Sequence, residues 1–315
     1  MAKRLAVSTM RGVHAAESVR RTPAAPWIWN EIIMRKRRTF VALTIRFLLL
    51  VALIGAAGFV ALICNYGARQ EYAEYRLKSI ATAYLSSRGE LDRDDLATIM
   101  GIAHKESRFW NGAVGRHHEV GVMQLSEAIA RDNALAIAPD AKKSTPLQKL
   151  LFLAPEKSMI EKDQRFDERT SMRIAIDHFL RIKRNFQTRY RLDEPAARDL
   201  AILAFHHGES RTSALLERSA SRNLDALLDS LADPALPHDT WFERAVSVSF
   251  SEHVLRYRSE YLQQMPAVLS MDGPDAAGLI ANIAATPKEF YTRIFGDMPE
   301  LERAMRERRS ADQNR

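Results

Sequence analysis

The sequence predicts a mainly α-helical protein behind a single N-terminal transmembrane helix, and three observations predict it. Phe47–Cys64 is a run of eighteen apolar residues without a charge. From Asp92 onward, apolar residues recur at three- and four-residue steps in one segment after another. No strand-rich stretch interrupts them. With 315 residues and 46% hydrophobic content, the chain is long enough for one medium domain with a full core and additional segments.

The net charge of +7 is unevenly placed. Residues 1–38 hold nine Lys or Arg against Glu17 and Glu31, and residues 39–64 add only Arg46. The remainder is close to neutral, with 36 basic and 37 acidic residues. Basicity confined to a tail argues against a nucleic-acid-binding domain. Residues 1–38 therefore read as a basic cytoplasmic tail and 39–64 as the transmembrane helix. The Arg35-Lys36-Arg37-Arg38 cluster just before the span places the N-terminus on the cytoplasmic side. A cleaved signal peptide is the rival reading, but the leader and apolar run are long and no small-x-small site follows. Cys64 is the only cysteine, so there is no internal disulfide and no Cys-based metal site.

Residues 65–89 read as a polar, partly helical stalk, closed by Ser86-Ser87-Arg88-Gly89. The domain proper is expected over 90–262. Its first helix starts at Asp92, an N-cap, with Asp94 and Asp95 in the first turn where the helix dipole favours anions. Leu96, Ile99, Met100, Ala103 and Trp110 form its apolar stripe, and Glu106 falls on that stripe. Desolvation disfavours the charged form of a carboxylate and suits it to give up a proton as a general acid. The competing reading is a helix-end Glu, exposed or paired with Lys105 or Arg108.

Asn111–Val120 is a polar loop. Gly121 then lets the backbone approach a ligand, and Gln124 offers both a donor and an acceptor. The histidines His117, His118, His206 and His207 fit no compact zinc spacing, so no metal and no cofactor is expected. Ala136–Asp167, with Pro139, Pro146 and Pro155, reads as a loop or small lobe. Helices are predicted over Ser171–Tyr190, Pro195–Phe205, Glu217–Ala232 and Trp241–Gln264. Residues 263–315 form a charged, helical C-terminal extension.

Glu106-Ser107, followed by Gly121-Val122-Met123-Gln124, resembles the soluble lytic transglycosylases, the lysozyme-like (SLT) enzymes that cut peptidoglycan. Ala204-Phe205-His206-His207-Gly208, after the apolar run Leu200–Leu203, corresponds to that family's Tyr-Asn-Ala-Gly stretch. The likeness spans about Leu91–Leu216. Departures are Gly115 for a loop Ser, His118-Glu119 for Gly-Ala, and Phe205-His206 for Tyr-Asn, which removes a hydroxyl that positions the acid.

The resemblance implies a lysozyme-like fold and cleavage of the MurNAc–GlcNAc bond with formation of a 1,6-anhydro end. It implies Glu106 as acid then base, with Ser107, Met123, Gln124, Phe205 and His206 holding the substrate. Peptidoglycan glycan strands and a membrane, through one helix, are the implied partners, and a cell-wall-spanning machine is a further one. The domain would then lie in the periplasm. Two other readings stay open: a hydrolase with Glu119 or Glu209 as second carboxylate, and a non-enzymatic domain that binds glycan or acts as a scaffold.

Overall fold

The computed structural model describes residues 26–115, 117–138, 145, 148, 151–219, 221–233 and 241–268, with 280, 283, 284 and 305 as isolated positions. The chain divides into two units, one ending at Gly58 and the other beginning at Phe59. Among the described residues there is no strand, and only isolated bridges join Val114 to Val120 and Val120 to Leu125. Most of the expected C-terminal extension over 263–315 lies outside the described residues.

Helix α1 is Pro26–Ser87. In the first unit its side chains from Met34 to Gly58 are exposed, including Phe40, Phe47, Leu50 and Leu53. A helix that is apolar on every side has no aqueous face, and this one is long and apolar enough to cross a membrane. Its later turns behave differently. Tyr66, Ala73, Leu77, Ala81 and Leu85 recur at four- and seven-residue steps and are buried in the core of the second unit. The segment read as a stalk thus carries a core-facing stripe.

Helix α2, Arg93–Ser107, is the central element. Asp92 caps it, accepting from the Asp95 amide at 2.9 Å as its sequence position predicts. Leu96, Ala97, Ile99, Met100, Ile102 and Ala103 are all buried, so the helix is enclosed on most sides. Short α3 (Glu127–Asp132) and α4 (Lys157–Lys162) follow, then a 3-10 turn at Gln164–Phe166. The expected loop or lobe over Ala136–Asp167 therefore includes one helical turn and a tight bend.

Helices α5 (Glu168–Tyr190) and α6 (Glu194–His207) pack as neighbours. Asp167 and Asp193 cap them. Helix α7 is Glu209–Arg218 and α8 is Leu224–Ala232. The single helix predicted over Glu217–Ala232 is thus broken. Asn223 caps α8 through the Ala226 amide, and Ser219 bonds the Ser221 amide, so local side chains capture backbone donors that a continuous helix would need. Helix α9, Trp241–Val268, lies along α2.

A buried ionic network ties α2 to α5 and α6. Asp95, almost fully buried, pairs with Lys183 and with Arg198 at 2.7 Å. Arg198 also reaches Asp92 at 3.0 Å, and Lys183 reaches Glu194 at 3.0 Å. Asp92, Asp95 and Glu194 are close enough to share a cation. The ammonium and guanidinium groups already supply that positive charge.

Candidate active site

The site grows from the C-terminal end of α2. Helix formation stops where Arg108 and Phe109 both take left-handed backbone angles, φ 55° and 65°. Phe109 and Trp110 are then buried, and Trp110 Nε1 donates to the Leu153 carbonyl at 2.8 Å. The last turn is thereby anchored. Ser107 is buried, and its hydroxyl donates to the Val122 carbonyl at 2.7 Å. That bond joins the Glu106-Ser107 pair to the Gly121–Gln124 turn.

Glu106 itself is half-buried, its side chain 16% exposed. Among the described residues it accepts no hydrogen bond, and His206 Nδ1 lies 4.0 Å from its Oε1. A carboxylate that is mostly desolvated and has not committed its oxygens is costly unless it has a task.

The turn is held from behind. Gly121 has φ 85°, and a β-carbon there would fall 2.0 Å from the Arg165 carbonyl oxygen. Only glycine meets both conditions. Arg165 is fully buried, paired with buried Asp163 at 2.7 Å. Its Nη1 donates to the carbonyls of His118 at 3.0 Å and Leu125 at 3.3 Å. This bracket was not singled out in the sequence, where no spacing or periodicity marks it.

Gln124 is at φ 48°, and its Nε2 donates to Gly121 O at 2.8 Å and Ala113 O at 3.2 Å. Its donor half is therefore spent on the loop, and only its acceptor remains for a ligand. Met123 is buried in the main core. Its side chain packs there and presents no surface to a sugar.

Helix α6 ends at the site because Gly208, at φ 95°, stops it. His206 stacks on Phe250 of α9, with ring centroids 4.5 Å apart and planes at 14°. Phe250 was missed in sequence; the only signal for it is its seven-residue step to Tyr257. Phe205 is half-buried, edge-on to His178 at 5.5 Å. His207 turns the other way, to Ser247 Oγ at 3.0 Å. Burial, with Arg211 nearby, holds His207 below the ordinary histidine range.

The two other carboxylates differ from Glu106. Glu209 accepts from Arg181 and Asn185, each at 2.9 Å. Burial pushes its carboxyl up, but these bonds and the Arg181 charge outweigh burial and hold it below the usual range. Glu119 accepts from the His117 amide at 3.0 Å.

The site is thus a half-buried carboxylate at the end of a buried helix, tied through Ser107 to a backbone turn. Residues 83–227 match the family model described as the transglycosylase SLT domain, and the chain carries such a domain. The match runs from the last turn of α1 into α8, so Phe250 and the rest of α9 lie beyond it. No curated protein and no solved structure matches the chain.

Proposed function

We propose that the protein is a membrane-anchored peptidoglycan lytic transglycosylase in which Glu106 is the single catalytic acid and base. One observation carries the reading. Glu106 is half-buried with no hydrogen bond among the described residues, whereas Glu119 and Glu209 are engaged by neighbours.

Glu106, protonated, gives its proton to the glycosidic oxygen as the C1–O bond of N-acetylmuramic acid breaks. The sugar's own C6 hydroxyl oxygen bonds to C1, and the Glu106 carboxylate takes the hydroxyl proton. The products are a 1,6-anhydro end and a free hydroxyl on the leaving sugar, and no water is consumed. An intramolecular nucleophile needs no second carboxylate, because its positional entropy is already lost. Acid–base catalysis of this kind contributes on the order of 10²–10⁴ in rate.

His206 stands where the family has Asn, stacked on Phe250, and its Nδ1 lies 4.0 Å from Glu106 Oε1, within reach of the acid when substrate is bound. Gln124 offers Oε1, and Ser107 keeps its turn in register with Glu106. Phe205 lacks the family hydroxyl, and His206 takes over positioning of the acid. The span over 39–64 anchors the chain in the cytoplasmic membrane with the basic tail inside, which puts the domain in the periplasm with the glycan.

Digestion of purified peptidoglycan by the full chain and by Glu106→Gln tests the reading. Anhydromuropeptides from the wild type alone support it. Reducing ends would favour a hydrolase with Glu119 or Glu209 as second carboxylate, and sacculus binding without products would favour a non-enzymatic domain.

A further inference from the structure

Helix α9 reaches the site from outside the family match, which ends at residue 227. Between Ser247 and His253 it contacts side chains at the ends of both α2 and α6. His253 Nε2 lies 2.8 Å from Nδ1 of His104, and Ser249 Oγ accepts from Lys105 Nζ at 3.3 Å. Both partners stand on the last turn of α2, directly before Glu106. Phe250 stacks on His206, and Ser247 Oγ lies 3.0 Å from His207 Nδ1, at the last two residues of α6. The Ser247 hydroxyl donates to Glu243 O at 3.0 Å, so it accepts from His207. One side of α9 thus grips the end of the acid's helix and the end of the helix that carries His206.

These contacts differ in what they fix. The bonds to His104, Lys105 and His207 hold helix ends, and none of them sets the ring of His206. The outer torsion of a histidine side chain is broad, so a neighbour has to choose its plane. Among the described residues no hydrogen bond holds the His206 ring, and its side chain is 28% exposed, which leaves it room to turn. Phe250 is buried in the main core. Its flat face, 14° from parallel to the imidazole, selects one plane for that ring. In that plane Nδ1 stands 4.0 Å from Glu106 Oε1, and a ring turned out of it carries the nitrogen elsewhere.

We propose that Phe250 is a positioning residue of the active site, holding the His206 ring so that its nitrogen meets Glu106 when substrate is bound. On the glycan-cleaving reading, on which this rests, a determinant of activity lies beyond the SLT domain.

The test uses the full chain in detergent micelles acting on glycan strands. Glu106-dependent release of anhydro ends is measured first, because its absence removes the reading and the inference together. Phe250→Leu and Phe250→Met take away the flat face but stay apolar and of similar bulk, and either serves if the other fails to fold. Each is made in the unsubstituted chain and in His206→Ala, and kcat and KM are read from the products by mass spectrometry. In the unsubstituted chain kcat is expected to fall about tenfold with KM little changed. In His206→Ala the same substitution is expected to change kcat by less than about twofold, because the ring it would misplace is already gone. A merely structural role lowers kcat by the same factor in both backgrounds. That result, or no loss in either, overturns the inference and leaves the glycan-cleaving reading standing.

Discussion

Gly121→Ala probes the turn that registers Gln124 and Ser107 against Glu106. Two costs combine there. A β-carbon at φ 85° costs about 1–2 kcal/mol from the left-handed backbone alone. The same atom would lie 2.0 Å from the Arg165 carbonyl oxygen, about 1 Å closer than such contacts allow, so the backbone must move. Arg165 yields poorly, because its side chain is buried and bound to Asp163, His118 O and Leu125 O. Overpacking of this kind costs about 1–3 kcal/mol. The sum is about 2–5 kcal/mol, or roughly 5–15 °C in melting temperature for a domain of this size.

Gly89→Ala is the matched control. Gly89 has φ 66°, but nothing lies within 4 Å of its added β-carbon, so only the backbone cost applies. Thermal unfolding followed by circular dichroism should separate the two variants by about 1–3 kcal/mol. A shift of 1 Å in the turn should also lower glycan cleavage on the order of 10²-fold in Gly121→Ala. Equal destabilisation by the two substitutions would refute the bracket argument.

Other outcomes follow from the same contacts. His206→Phe keeps a ring stacked on Phe250 but removes the ring nitrogen beside Glu106, and kcat should fall on the order of 10-fold or more with KM little changed, while His206→Asn retains most activity. Arg198→Ala leaves Asp95 buried with half its partners, and unfolding should become easier by about 3–5 kcal/mol, read from the melting temperature. His178 and His207 both sit below the ordinary histidine range, chiefly through burial, so the unfolded chain binds their protons more readily. Their contribution to stability is present above about pH 6.5 and is lost as pH falls through the lowered values, and His207→Gln should flatten the acid side of a melting-temperature profile.

What was legible in the sequence follows from which forces are local. The Asp92 cap, the α2 stripe and the start of α6 depend on neighbours within four residues, and periodicity exposes them. Glu106, placed on the stripe by that spacing, proves half-buried because the stripe runs out where Arg108 and Phe109 turn the chain. The break between α7 and α8 was hidden because Ser219 and Asn223 act only as competitors to a helix that the pattern otherwise allows. Met123, next to Gly121 and Gln124 in a motif, reads as a ligand contact, yet the turn directs it inward and Gln124 outward. Arg165 and Phe250 act on residues about 40 positions away in the chain, and no local pattern announces such contacts.

The central claim is that the substrate's own hydroxyl, not water, attacks C1 after Glu106 has protonated the leaving oxygen. Digestion of peptidoglycan in water enriched with heavy oxygen, with product masses read by mass spectrometry, tests it directly. Anhydro products without incorporated label, absent from Glu106→Gln, are the predicted result. Labelled reducing ends would contradict the account and place a water molecule, with a second carboxylate to activate it, at the reaction centre.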